Sequence, residues 1–99
     1  MKKRYIEKVR EMILKYFRNE PVKVFIFGSR ALGTAGVGSD VDIGIQAKRG
    51  VSVEKLKLAK LREELEESTI PYKIDVVDMN DTSAEFRREA KKKIIYLKK

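Results

Sequence analysis

Two aspartates flank a single valine in Asp40-Val41-Asp42, at the head of the alternating run "DVDIGIQA". A third, Asp75, sits inside "YKIDVVDM", between Ile74 and Val76. Residues i and i+2 of a strand project from one face, with Cα atoms about 6.5 to 7 Å apart. Carboxylates so spaced can share one cation or bridge two that lie roughly 3.5 to 4 Å apart. Without a cation they repel and shift each other's pKa. A divalent metal therefore makes physical sense of the pair. Asp75 completes the set if its strand lies beside theirs, because a mid-strand position is a costly place for an unpaired charge. Asp78 competes for that role, but it falls on the other face at the strand's end, where a solvated carboxylate costs little.

Upstream, the apolar run "VKVFIF" stops at Gly28-Ser29. A strand ending in glycine lets a phosphate approach the backbone, and a helical turn starting at Ser29 would offer free N–H groups. The Ser29 hydroxyl can donate to a phosphate oxygen. Arg30 adds a fixed positive charge, although a surface salt bridge explains it equally well. An anion cradle beside paired carboxylates is the equipment of phosphoryl or nucleotidyl transfer.

The composition narrows the chemistry further. With no cysteine and no histidine, the chain has no disulfide, no thiolate or imidazole metal site, and no Ser-His or Cys-His nucleophile. Oxygen ligands alone select magnesium, manganese or calcium. The 99 residues suit one domain, 1–99, and a formal net charge of +8 favours an acidic partner. No apolar run approaches a membrane span or a signal-peptide core, so the expected location is cytoplasmic.

Several elements must position these groups. Tyr5, Ile6, Val9, Met12, Ile13, Tyr16 and Phe17 recur at helical spacing over residues 3–18, and Asn19-Glu20-Pro21 ends that helix. Residues 22–27, 40–47 and 72–79 read as strands. The segment from Gly28 to Ser39 reads as a loop with one helical turn near Arg30-Ala31-Leu32. Ser52 is the expected cap of a helix reaching about Glu67. Thr82-x-x-Glu85 is the expected capping box of a last helix that buries Phe86, Ala90, Ile94 and Leu97. The order is α-β-β-α-β-α, an α/β (α+β) fold with one small mixed sheet flanked by helices.

Gly28-Ser29 followed by Asp40-x-Asp42, within "GSRALGTAGVGSDVDIGI", resembles the signature of the DNA polymerase beta-like nucleotidyltransferase superfamily. It looks in particular like the minimal nucleotidyltransferases encoded beside a HEPN-domain protein, and the likeness runs through the later "IDVV" strand. That resemblance implies the polymerase beta-like fold and a nucleoside triphosphate bound through Gly28, Ser29, Arg30 and Ser39. It implies Mg²⁺, two ions with Mn²⁺ as a substitute, held by Asp40, Asp42 and Asp75. Asp75 would act on the acceptor hydroxyl as base or second-metal ligand. It further implies ATP as donor, a tyrosine of a HEPN toxin as acceptor, an antitoxin role and a hetero-oligomer with that toxin. The toxin's ribonuclease chemistry is not in this chain, which has no histidine.

Plainer readings stand beside these. Tyr5, Tyr16, Phe17 and Phe86 are expected in the core, Tyr72 and Tyr96 on the surface as contact residues. The basic end "RREAKKKIIYLKK" is a solvated face or a docking surface. A catalytically inactive module that neutralises its partner by binding is the alternative function. Direct nucleic-acid binding lacks an aromatic-basic recognition motif and is the weakest reading.

Overall fold

The computed structural model describes residues 1–36 and 38–99; Val37, inside the expected glycine-dotted loop, lies outside the described residues. The chain runs α1 (Lys3–Phe17), β1 (Val22–Phe27), α2 (Ser29–Leu32), β2 (Val41–Ala47), α3 (Lys55–Glu67), β3 (Ile74–Asp78), a 3-10 turn (Met79–Asp81), α4 (Ala84–Ala90) and β4 (Ile95–Lys98). The expected α-β-β-α-β-α order is present, α2 is the helical turn expected near Arg30, and the strand β4 is added to that order. No described helix is long and apolar enough to cross a membrane.

The four strands form one mixed sheet in the order β3-β2-β1-β4. β1 pairs antiparallel with β2 and with β4, whereas β2 and β3 run parallel. Parallel neighbours need a crossover, and α3 supplies it. One sheet face carries Val22, Val24, Ile26, Val41, Ile43, Ile45, Val76 and Leu97 against Val9, Ile13 and Phe17 of α1 and Leu58, Leu61 and Leu65 of α3. The period of two in the strands and the helical period in α1 and α3 thus meet in one core. The opposite face holds a smaller cluster of Phe25, Phe27 and Met79, backed by Val77, Ala90 and Ile94. A β-carbon on Gly44 would come within 2.7 Å of both the Phe25 ring and the Met79 methyl, so glycine makes room for that cluster.

The C-terminal segment corrects an expectation. The last helix stops at Ala90, buries none of its own residues, and is followed by β4, which pairs with β1 and buries Leu97. Ile94-Ile95-Tyr96-Leu97 is rich in residues that favour strands, and the far edge of β1 offers unpaired backbone groups to them. Two caps also differ from expectation. Glu54, not Ser52, caps α3 by accepting from the N–H groups of Leu56 and Lys57. Ser83, not Thr82, caps α4 through the Phe86 N–H, while Thr82 donates its hydroxyl to the Met79 carbonyl.

Candidate active site

β1 ends at Gly28, whose φ of 74° lies in the left-handed region that glycine tolerates best. Gly28 caps α2, and its carbonyl accepts from the N–H groups of Ala31 and Leu32. An added β-carbon on Gly28 would lie 2.6 Å from Asp42 Oδ2. Conformation and space therefore both demand glycine here, and the Asp42 carboxylate lies against the end of β1.

Asp42 is flanked on both sides within the sheet. Phe27 faces it across the antiparallel pairing, and Asp75 is its Cα partner across the parallel one. Burial raises the Asp42 carboxyl above its ordinary pKa, and the charges of Asp75 and then Asp40 push it further the same way. Asp75 is half-buried and Asp40 exposed. The carboxylates of Asp40, Asp42 and Asp75 thus share one electrostatic neighbourhood: Asp40 and Asp42 are two residues apart, and the parallel pairing of β2 with β3 brings in Asp75. Among the described residues no three such side chains close into a ready-made ion cage. The set is a paired Asp42 and Asp75, with the exposed Asp40 on the chain just before β2. All-oxygen donors under mutual repulsion suit a hard divalent cation.

Asp78 does not join them. It is 6% exposed rather than solvated as expected, and its Oδ1 accepts from the Asn80 N–H to cap the 3-10 turn. Its Oδ2 takes Lys55 Nζ at 3.4 Å. Its role is structural.

Ser29 opens α2, and its carbonyl accepts from the N–H groups of Gly33 and Thr34. Arg30 donates from Nη2 to the Ser39 carbonyl at 2.7 Å and lays its guanidinium over the Tyr72 ring, 4.9 Å from the centroid. Among the described residues its Nε is buried without a protein partner. Ser39 Oγ in turn accepts from the Gly36 N–H. Arg30 therefore ties down the chain immediately before Asp40, a link that spacing alone did not reveal.

A groove of about 820 Å³ opens beside Asp42 and Asp75, within the usual range for a small-molecule site. Phe27, Tyr72, Lys73 and Phe86 also line it. Phe86, expected in the core, is 42% exposed and sits edge-on to Phe27. The groove reaches round the outer edge of the sheet, where Arg62 donates twice to the Val76 carbonyl and occupies the open edge of β3. Sequence reasoning missed Arg62 and Lys73. An arginine on the polar side of a helix carries no signal of the carbonyl it will reach.

Comparison with known proteins gives a consistent result. "Probable protein adenylyltransferase MntA" of Haemophilus influenzae is 35% identical over 69 residues, 70% of this chain and 59% of that protein. The chain thus spans less than two thirds of that relative's length. A solved structure of a protein classed as a minimal nucleotidyltransferase matches with a TM-score of 0.68 and 25% identity, over 96% of this chain and 95% of that one. An MNT antitoxin, solved in complex with tri-AMPylated Shewanella oneidensis HEPN toxin, shares the fold with a TM-score of 0.60 and 19% identity, over 93% and 71% of the two chains. The polymerase beta nucleotidyltransferase family model matches residues 7–99, a span that includes β1, the Gly28-Ser29 turn and all three aspartates. The chain belongs to the polymerase beta nucleotidyltransferase family.

Proposed function

We propose that this chain is a divalent-metal-dependent nucleotidyltransferase that moves AMP from ATP to a hydroxyl, with a tyrosine of a HEPN toxin as acceptor, and that it acts as the antitoxin of that pair. The observation that carries this reading is the parallel register that sets Asp75 opposite Asp42, with Asp42 seated against Gly28. The adenylyltransferase name of the Haemophilus relative and the AMPylated toxin bound to the Shewanella neighbour support the choice of donor and partner.

Asp40, Asp42 and Asp75 would hold Mg²⁺, or Mn²⁺ in its place, which supplies charge neutralisation and orientation of the triphosphate. Gly28 leaves the strand end open to the phosphates, and the Ser29 hydroxyl donates to a phosphate oxygen. Arg30 and Ser39 fix the loop at the mouth, and Arg30 brings a permanent positive charge there. The acceptor oxygen attacks the α-phosphorus while its proton passes to the Asp75 carboxylate. A new O–P bond forms, the bond from the α-phosphorus to the bridging oxygen breaks, and pyrophosphate departs. The test is incubation with ATP labelled at the α-phosphate, Mg²⁺ and a HEPN-domain partner protein from the same genome. Label should move to the partner, and Asp42→Ala should abolish transfer without unfolding the chain. An Asp42→Ala variant that transfers label as well as the native chain would overturn the reading.

One observation favours a binding role as well. Leu32 and Phe86 are exposed apolar side chains that line a cavity of about 260 Å³ beside Gly28. If neutralisation needs binding alone, an Asp40→Asn/Asp42→Asn double variant will still silence the toxin. If it needs nucleotidyl transfer, that variant will not.

A further inference from the structure

The face of the sheet that carries Asp42 has a second feature at its other end. Along β1, Phe27 pairs with Asp42 and Lys23 pairs with Gln46. Four residue steps along the strand put the two places about 13 Å apart. Around Lys23 a cavity of about 270 Å³ is lined by Gln46, Lys48, Arg49, Lys91 and Tyr96, and it shares none of its lining with the carboxylate groove.

Among the described residues the cations of this cavity have no protein counter-charge. None of Lys23, Lys48, Arg49 and Lys91 takes part in an ion pair among the described residues. By contrast Lys15, Lys55, Lys57 and Lys92 each meet a carboxylate elsewhere on the surface. Partial burial of its head, and then the charges of Lys23 and Arg87, hold the Lys91 ammonium below its ordinary pKa. Four gathered like charges repel one another, and an anion among them would relieve that repulsion. The remaining walls are suited to more than a bare ion. Tyr96 is 41% exposed and is braced edge-on against the buried Phe25 ring. Gln46 offers an amide with both donors and an acceptor. An aromatic ring beside cations is the pairing that binds a base and its phosphate together. At about 270 Å³ the cavity lies just under the usual small-molecule range, which limits it to one nucleotide unit at most.

The geometry points to a second anion site at Lys23, Lys48, Arg49 and Lys91 that takes one phosphorylated nucleoside, with the base against Tyr96. This goes beyond the transfer reaction and does not depend on it. The nucleotide is either free in solution or already attached to an acceptor, and the shared chemistry is a phosphate ester beside a base.

The test uses the whole chain without divalent metal, titrated with AMP, inorganic phosphate and adenosine while backbone amide resonances are followed. AMP should shift the signals of Lys23, Gln46 and Tyr96, and it should bind at least tenfold more tightly than phosphate or adenosine. Lys23→Gln/Lys91→Gln should weaken AMP binding about tenfold or more. A control with the same charge change, Lys2→Gln/Lys60→Gln, should leave it within about twofold. Both lysines of the test pair are exposed, so the variant should fold. The dinucleotide pApA, binding more tightly than AMP, would identify an attached nucleotide as the source; equal binding would identify the free one. Shifts confined to the Asp42 and Asp75 end, equal loss in both double variants, or phosphate binding as tightly as AMP would each overturn the inference. No outcome depends on catalysis, so failure here is distinct from failure of the transfer reading.

Discussion

Asp42 Oδ2 occupies the space that a side chain on Gly28 would need, 2.6 Å from the position of its β-carbon. The end of one strand and the carboxylate of the next are built into each other. Gly28→Ala must therefore displace Asp42 and also strain a backbone at φ 74°. Such strain costs about 1 to 3 kcal/mol. A displacement of about 1 Å at a catalytic group lowers rate by about 100-fold. Thermal unfolding and nucleotidyl transfer measured on the same sample should show both losses.

Arg30 holds the chain before Asp40 through the Ser39 carbonyl and the Tyr72 ring. Arg30→Ala removes one hydrogen bond and one cation–π contact, together about 1 to 2 kcal/mol of stability. Arg30→Lys keeps the charge but loses the planar fork. If Arg30 acts by positioning Asp40, both variants should lose transfer activity, and KM for ATP should change less than kcat. If only its charge matters, Arg30→Lys will restore activity.

The raised Asp42 carboxyl has a consequence for stability. The native chain holds that proton more tightly than the unfolded chain does. The resulting stability is fully present below the ordinary carboxylate range and is lost as pH rises through the raised native value. At neutral pH without divalent cation, ionised Asp42 is a liability, so Asp42→Asn should unfold at a higher temperature than the native chain. Adding Mg²⁺ should reverse the order. At 100 times its Kd, a bound ion stabilises by about 2.7 kcal/mol, an increment the variant should lack. Unfolding curves at pH 4 and pH 7, with and without Mg²⁺, measure all of this.

The C-terminal segment yields a contrast between two apolar residues. Leu97 is 5% exposed in β4, whereas Phe86 is 42% exposed on α4. Leu97→Ala should cost about 2 to 4 kcal/mol, as core truncations do. Phe86→Ala should cost under about 1 kcal/mol and act instead on the binding of nucleotide or partner. Denaturant unfolding of both variants decides it. A helix running through Leu97 with both residues buried would make the two costs similar.

How far the sequence foretold this structure depended on the length of each signal. "VKVFIF" coincides with β1, and the helical turn expected near Arg30 is α2. The Asp40-x-Asp42 spacing anticipated that the Asp40 charge would act on Asp42, although β2 begins at Val41 and leaves Asp40 just outside the strand. Mid-strand placement singled out Asp75, which the parallel register sets beside Asp42. Short apolar runs were the weak point. Phe86, Ala90, Ile94 and Leu97 fit a helical period, but over so few residues that period does not separate a helix from a short helix followed by a strand. The free edge of β1 decided the matter, and an edge exists only once the sheet has formed. Asp78 misled for a related reason, since Lys55 and the 3-10 turn that enclose it arrive from outside its strand.

The central claim is that Asp42 and Asp75 act together on one divalent ion beside the nucleotide. Mn²⁺ binding in the presence of a non-hydrolysable ATP analogue, followed by electron paramagnetic resonance, tests it most directly. The native chain should bind Mn²⁺, Asp42→Asn and Asp75→Asn should each weaken binding by about tenfold or more, and Asp40→Asn should weaken it too. Equal binding by the native chain and the Asp75→Asn variant, or no binding by the native chain, would contradict the account.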